Sequence, residues 1–224
     1  MQRKTVDVEG VKVSYLTSDE PGKPLLLLHG TYWSRVWQPV IDRLARSGLE
    51  PVAVDFPGCG FSEGELQGQE ASVPALAQWL VKFTQAMGWN NSIYLAAHDI
   101  GGGVAQQVLA DGKIKIEKMA LMNAVMFDSW PVPAVKKFRD PEFLENLSHE
   151  EFIRMRRQGV VSGIQRTLSA GECDEYVAPW YSLNRFHSWI SMAAEADSKY
   201  TMAIVPKLRE SHIPKLLIWG EDDP

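Results

Sequence analysis

Asp99 lies in the segment AHDIGGG at positions 97–103, where small residues flank a carboxylate on both sides. A side chain that projects from a sharp turn between a strand and a helix needs small residues two positions before and after it, because the backbone there is crowded. Ala97 and Gly101 meet that need. The turn would also place the backbone N–H of Ile100 at a helix start, where the helix dipole favours an anion. We therefore predict that Asp99 is a nucleophile rather than a helix cap, the other frequent use of Asp before a helix.

A carboxylate nucleophile favours one kind of substrate. Attack on an acyl carbon would give a mixed anhydride, whereas attack on a saturated carbon that bears a leaving group gives an ordinary ester. Halides and strained epoxides are substrates of the second kind. Water then hydrolyses the ester at the carbonyl carbon of Asp99, a step that needs a general base oriented by an acid. Asp99 therefore predicts hydrolysis in two steps through a covalent alkyl ester.

The elements that must position Asp99 alternate along the chain. Valines at positions 6, 8, 11 and 13 flank a turn at Glu9 and Gly10 and predict a hairpin. Short apolar runs predict buried strands at 25–28 and 51–54, and further strands at 93–97, 119–122 and 216–219. Helical patterns separate the first four of these runs, and Ser72 is placed to cap one of the helices. The order predicts an α/β fold with a mostly parallel, doubly wound sheet.

One long interval breaks the alternation of strands and helices. Residues 127–206 show helical patterns, are rich in Trp and Tyr, and contain no strand signal. We expect them to form a helical lid over one edge of the sheet, with a helix around Lys199–Leu208 returning the chain. The predicted division is therefore a core of residues 1–126 and 207–224, with residues 127–206 as the lid.

Four segments follow predicted strands, at the sheet edge where open α/β sheets bind ligands. They are His29-Gly30-Thr31, DFPGCGFS at 55–62, AHDIGGG at 97–103, and WGEDD at 219–223. In that order, with a lid-sized gap before the last, they resemble the α/β-hydrolase superfamily. Within it they are similar to the branch with an Asp nucleophile, which contains haloalkane dehalogenases and epoxide hydrolases. The resemblance covers nearly the whole chain.

The resemblance implies roles for further residues. Asp223 would be the acid, with Asp222 as the neighbouring alternative. The backbone N–H groups of Thr31 and Ile100 would form the oxyanion hole of the second step.

The base of this family lies beyond the acid, after one more strand, and no histidine follows Asp223. His29, His98, His149, His187 and His212 do not match the base position. We expect the sequence to be an incomplete copy of a longer enzyme, without its C-terminal strand and helix. The alternative is a chain that ends here and lacks a competent second step.

The residues around Asp99 are compatible with two kinds of electrophilic substrate, a halide and an epoxide. Haloalkane dehalogenases usually have a halide-binding Trp after the nucleophile, where this chain has Ile100, so a halide would need donors such as Trp33, Trp130, Trp180 or Trp189. Epoxide hydrolases resemble the chain equally in this turn and use lid tyrosines as acids, for which Tyr176, Tyr181 and Tyr200 are available. The apolar Ile100 favours neutral, lipophilic substrates. We predict dehalogenation first and epoxide hydrolysis second. The predicted substrate contacts are Tyr32, Trp33, Trp130, Tyr176, Trp180 and Tyr181.

Composition excludes several other classes of function. The 224 residues carry a net charge of −5 and no basic block, which argues against nucleic acid as a partner. No apolar run is long enough for a membrane span, and no signal peptide is present, so a cytoplasmic protein is expected. No motif for a nucleotide, organic cofactor or metal is found, so none is predicted. Arg154, Arg156 and Arg157 are interpreted as a solvated lid face.

Two hypotheses from different classes remain at this stage. The first is a hydrolase acting on a small molecule, with a homodimer left open. The second is a non-catalytic module that binds a ligand on a hydrolase scaffold, because fold does not imply function.

Overall fold

A seven-stranded sheet forms the centre of the protein. The computed structural model describes residues 1–18, 20–164, 166–221 and 223. The strands in chain order are β1 Gln2–Val8, β2 Val11–Thr17, β3 Lys23–Leu28, β4 Leu49–Val54, β5 Ile93–Asp99, β6 Ile116–Ala124 and β7 Lys215–Ile218. Their order across the sheet is β1-β2-β4-β3-β5-β6-β7.

The sheet is mostly parallel, as predicted. β1 pairs antiparallel with β2, and β2 pairs antiparallel with β4, whereas all the later neighbours are parallel. Glu9 and Gly10 have positive φ angles of 53° and 87°, which the tight turn of the first hairpin requires. The β3–β5 pair places the carboxyl ends of two central strands side by side, and the predicted Asp99 turn begins at that edge.

Helices cover both faces of the central strands, whereas β7 is exposed along its length. α1 Gln38–Arg46 lies on one face, and α2 Val73–Ala86 and α3 Ile100–Asp111 lie on the other. Alternate residues of β3 belong to the two cores, since Leu26 and Leu28 face α2 and α3 while Leu25 and Leu27 face α1. Burial on both faces explains why four consecutive leucines form this strand. The predicted cap of α2 is confirmed, because Ser72 accepts a hydrogen bond from the Ala75 N–H at 3.4 Å.

Seven α-helices lie between β6 and β7 in the part of the chain that the structure describes. They are α4 Pro133–Lys136, α5 Pro141–Asn146, α6 His149–Ser162, α7 Ala170–Val177, α8 Leu183–Ala194, α9 Ser198–Ala203 and α10 Val205–Glu210. The helix predicted around Lys199–Leu208 is therefore two helices, joined at Ile204. Pro206 lies at the start of α10, where its missing N–H breaks no helical hydrogen bond but would do so further inside a helix.

The helical segment 127–206, the predicted lid and called the lid below, has a small apolar core of its own. Buried residues from α6, α7 and α8 pack together there, among them Phe152, Val177 and Trp189. Tyr32 and Val36, from the segment after β3, pack against the same cluster. The lid is thereby joined to the edge of the sheet that carries the predicted site. Within the described ranges, no helix combines the length and apolar character that a membrane crossing requires.

Candidate active site

Asp99 is the last residue of β5 and directly precedes α3. Its backbone angles are φ 54° and ψ −127°, a sparsely populated conformation for a residue with a side chain. The side chain makes no capping hydrogen bond to α3, so Asp99 does not act as the helix cap that was the alternative interpretation. The Asp99 carbonyl accepts a hydrogen bond from the Val125 N–H at 3.1 Å, which ties the turn to the end of β6. The surrounding strands thus hold a strained turn that projects a carboxylate.

The carboxylate of Asp99 is held by the segment after β3. Its Oδ2 accepts a hydrogen bond from the Thr31 N–H at 2.8 Å. Ile100, whose N–H is the other predicted donor, is the first residue of α3 and is buried. The first N–H groups of a helix have no intrahelical partner, so the Ile100 N–H does not take part in the backbone hydrogen bonds of α3. The structure therefore brings Asp99, Thr31 and Ile100 together.

A cavity of about 100 Å³ lies above Asp99. Its floor consists of Thr31, Asp99, Ile100 and Val125. Its roof comes from the lid and consists of Trp130, Pro131, Val132, Val135, Trp189, Met192, Ala193 and Ala196. Asp99 is the single ionisable side chain among these lining residues. The cavity therefore surrounds one carboxylate with apolar walls.

Of the predicted substrate contacts, Trp130 lines the cavity. The other five, Tyr32, Trp33, Tyr176, Trp180 and Tyr181, are not part of its wall. Trp33 and Tyr176 are joined by a 3.0 Å hydrogen bond from the indole N–H to the Tyr176 carbonyl, and Tyr181 is 59% exposed. Tyr176 and Trp180 are instead part of the lid's own apolar cluster, and Tyr32 packs against it.

The indole groups that do line the cavity already have acceptors within the protein. The Trp130 N–H donates to the Thr201 hydroxyl at 2.8 Å, and the Trp189 N–H donates to the Thr31 carbonyl at 2.9 Å. No tyrosine is among the described lining residues. The wall thus offers few donors for a departing group.

The predicted acid lies in an exposed turn after β7. The Asp223 N–H donates to the Gly220 carbonyl at 3.3 Å, and the Gly220 N–H donates to the Asn123 side chain at the end of β6. Asp223 does not line the cavity, and Asp222 lies outside the described residues. The turn is nevertheless tied to β6, the strand next to Asp99.

None of the five histidines lines the cavity. His29 is buried and structural, because its Nδ1 pairs with the Gly30 carbonyl at 2.8 Å and its Nε2 accepts from the Phe56 N–H at 3.2 Å. Burial lowers the pKa of His29, while the nearby Asp55 carboxylate opposes that shift. His187 lies on the surface of the lid, where its Nδ1 is 3.7 Å from Oε1 of Glu65 in the loop after β4.

Arg156 contradicts the interpretation of its helix face as solvated. Arg154 is 75% exposed, but the Arg156 side chain turns inward, and its Nε atom is buried. Its guanidinium lies over the rings of Tyr32, Trp180 and Trp189. Burial lowers the pKa of Arg156, whereas the charge of Asp99 raises it.

Comparisons with known proteins agree with this architecture. A family model described as alpha/beta hydrolase fold matches residues 23–172. The chain is 25% identical to epoxide hydrolase 3 of Xenopus tropicalis over 96% of its own length and 62% of that protein. It is 25% identical to a haloalkane dehalogenase of Psychrobacter cryohalolentis over 52% of its own length and 39% of that protein. The chain therefore spans less than two thirds of either relative.

A solved structure extends the likeness to nearly the whole chain. A protein of this fold from Burkholderia ambifaria superposes with a TM-score of 0.81, at 22% identity, over 99% of this chain and 83% of that one. The predicted fold class is confirmed by this match and by the family model.

Proposed function

Because the chain belongs to the α/β-hydrolase family, we propose that Asp99 is the nucleophile of a hydrolase that acts on a saturated carbon of a neutral small molecule. One observation carries the proposal: a strained turn projects the Asp99 carboxylate against the Thr31 N–H at the floor of an apolar cavity. Apolar walls favour an uncharged substrate, because a charged one would lose its hydration on entry.

The hydrogen bond of Asp99 distinguishes its two carboxylate oxygens. Oδ2 is held by the Thr31 N–H, which leaves Oδ1 to attack the substrate carbon. The bond from Oδ1 to carbon forms as the bond to the leaving group breaks, and the electron pair departs with that group. In the second step water adds to Cγ of Asp99 and gives a proton to solvent, while the negative charge develops on Oδ2. Thr31 and Ile100 would then stabilise that oxyanion. The Cγ–Oδ1 bond then breaks, Oδ1 leaves with the product alcohol and takes a proton from solvent, and the Asp99 carboxylate is restored.

The leaving group that fits this cavity best is a halide. An epoxide oxygen departs as a strongly basic alkoxide and needs an acid to protonate it, whereas a halide departs without a proton. No tyrosine is found among the described lining residues, so the cavity supplies no phenolic acid. We therefore place haloalkane dehalogenation first. Epoxide hydrolysis remains the second candidate, because the epoxide hydrolase relative matches 96% of this chain.

The test is alkylation of Asp99 by 1,2-dibromoethane. We expect bromide release and a mass increase that tandem mass spectrometry locates on the peptide containing Asp99. In water enriched in ¹⁸O, hydrolysis of this ester should place label in the Asp99 carboxylate. None of the five histidines lines the cavity, so ester formation by these 224 residues should be faster than ester hydrolysis.

Two variants and two further substrates complete the experiment. Asp99→Asn should abolish the mass increase, while Asp128→Asn, which changes an exposed carboxylate, should leave it unchanged. 1,2-Dichloroethane should react more slowly than the dibromide, because both indole N–H groups of the wall are already donated to the protein. A hydroxyalkyl ester from styrene oxide would favour the epoxide hydrolase. Saturable binding without any ester would contradict the enzyme and favour the binding module.

A further inference from the structure

Arg156 is a cation of α6 that lies behind the cavity wall. Its Cζ atom is 4.5 Å from the ring centroid of Tyr32, 4.9 Å from that of Trp180 and 4.7 Å from that of Trp189. Within the described ranges it forms no ion pair with a carboxylate, and its Nε has no hydrogen-bond partner. Contact with aromatic faces stabilises such a cation but does not neutralise its charge.

Arg156 is connected to Asp99 through one residue. Its Nη2 donates to the Thr31 carbonyl at 3.2 Å, and the Trp189 N–H donates to the same oxygen at 2.9 Å. The Thr31 N–H in turn donates to Oδ2 of Asp99 at 2.8 Å. Two lid side chains therefore fix the residue whose N–H holds the nucleophile.

The charge of Arg156 also bears on the proposed first step. Before that step the negative charge is on Asp99. Afterwards Asp99 is a neutral ester, and the leaving group holds the electron pair and the charge. In a cavity with apolar walls an unbalanced charge has a high free energy, and a fixed cation nearby lowers that free energy. Arg156 remains in place throughout and can balance the charge at either position.

We propose that Arg156 is a positioning residue, which holds the Thr31 N–H on Asp99 and balances the negative charge as it passes to the leaving group. The inference rests on the proposed function of Asp99. A role in lid packing alone would affect stability and leave the reaction of the folded protein unchanged, so the reaction rate distinguishes the two roles.

The experiment measures the rate of ester formation on Asp99 with 1,2-dibromoethane, together with hydrogen exchange of the Thr31 amide. Arg156→Met should slow ester formation at least about tenfold, since loss of a direct oxyanion donor costs roughly a hundredfold or more. The same variant should speed exchange at Thr31. Arg156→Lys keeps the charge and should retain more of the rate than Arg156→Met. Arg154→Met, on the same helix but exposed, should behave as the unsubstituted chain.

The remaining outcomes also support or overturn the proposed role of Arg156. A folded Arg156→Met chain that reacts at the original rate would overturn the proposal, and so would an equal loss in Arg154→Met. If Arg156→Met does not fold, Arg156→Gln, which removes the charge but keeps a polar side chain, decides: a rate reduced severalfold supports the proposal, and an unchanged rate overturns it. If the unsubstituted chain forms no ester, the proposed function fails, and Thr31 exchange alone then tests the positioning by Arg156.

Discussion

The carboxylate of Asp99 and the segment after β3 approach each other closely at Gly30. A Cβ atom at position 30 would overlap with Cβ and Oδ2 of Asp99. A Cβ atom at Gly101 would similarly overlap with the His29 carbonyl. Gly30 and Gly101 are thus required because two backbone segments approach each other closely. Since position 30 has no side chain, the Thr31 N–H can reach Oδ2 of Asp99.

We expect Gly30→Ala to abolish most ester formation on Asp99. The added methyl group must displace the carboxylate from the Thr31 N–H, and overpacking of this kind typically costs about 1–3 kcal/mol of stability. The rate follows from the mass increase with 1,2-dibromoethane, and the stability from urea unfolding. The matched control is Gly171→Ala in α7, where no atom lies within 4 Å of the added methyl group. A Gly30→Ala chain that forms the ester at the original rate would contradict the proposed geometry.

Residue patterns predict the strained turn at Asp99 but not the cavity wall around it. Asp99 is recognisable because crowding demands small residues at fixed local spacing. Val125, Met192 and Ala196 follow no such rule, since they meet at the cavity only after the lid has folded over the sheet. Arg156 appears solvated in the sequence because its aromatic neighbours come from positions far along the chain.

At the scale of elements, α8 joins the lid to the loop after β4. The Ser188 hydroxyl is buried, donates to the Asn184 carbonyl at 2.8 Å and accepts from the Leu66 N–H at 3.0 Å. Gly58 has a φ of 63°, and a Cβ atom there would overlap with this hydroxyl. α8 therefore docks on a glycine, and the same helix supplies Trp189 to the cavity roof.

Ser188→Ala should lower the free energy of unfolding by about 1–3 kcal/mol, because it leaves the buried Leu66 N–H without its acceptor. Urea unfolding followed by circular dichroism measures this change. Ser191→Ala, a half-buried position on the same helix, is the control and should have a much smaller effect. Equal losses in the two variants would show that the hydrogen bond from Leu66 is unimportant for docking.

The strands and core helices follow from local patterns more completely than the lid does. Continuous apolar runs predict β3 and β4, because both faces of these strands are covered. The predicted helix at 199–208 is instead split at Ile204, and α10 begins at Val205 with Pro206 in its first turn. Lid helices are short, and their ends depend on contacts between elements, so sequence periodicity alone does not locate them.

At the scale of the whole molecule, the lid and the sheet share apolar residues. Val36 packs against the lid cluster and against the α1 side of the sheet, and Val135 packs against the lid cluster and the α3 side. Hydrogen bonds cross the same boundary, among them the bond from the Trp33 N–H to the Tyr176 carbonyl. Residues 127 and 206 therefore mark where the predicted lid begins and ends along the chain. In space, apolar packing continues from the lid into the sheet.

We expect the lid and the sheet to unfold in one transition, although chains above about 150 residues often unfold in several steps. Separation of the lid from the sheet would expose the apolar lid residues that pack against the sheet, and it would leave the Thr31 carbonyl without the Trp189 donor. Urea unfolding followed by tryptophan fluorescence and by far-ultraviolet circular dichroism should give coincident midpoints. Trp189→Phe removes that donor and should lower both midpoints together. Two separated transitions, or a shift in one signal alone, would show that the lid folds independently of the sheet, and the coupling of Arg156 to Asp99 would then depend on lid closure.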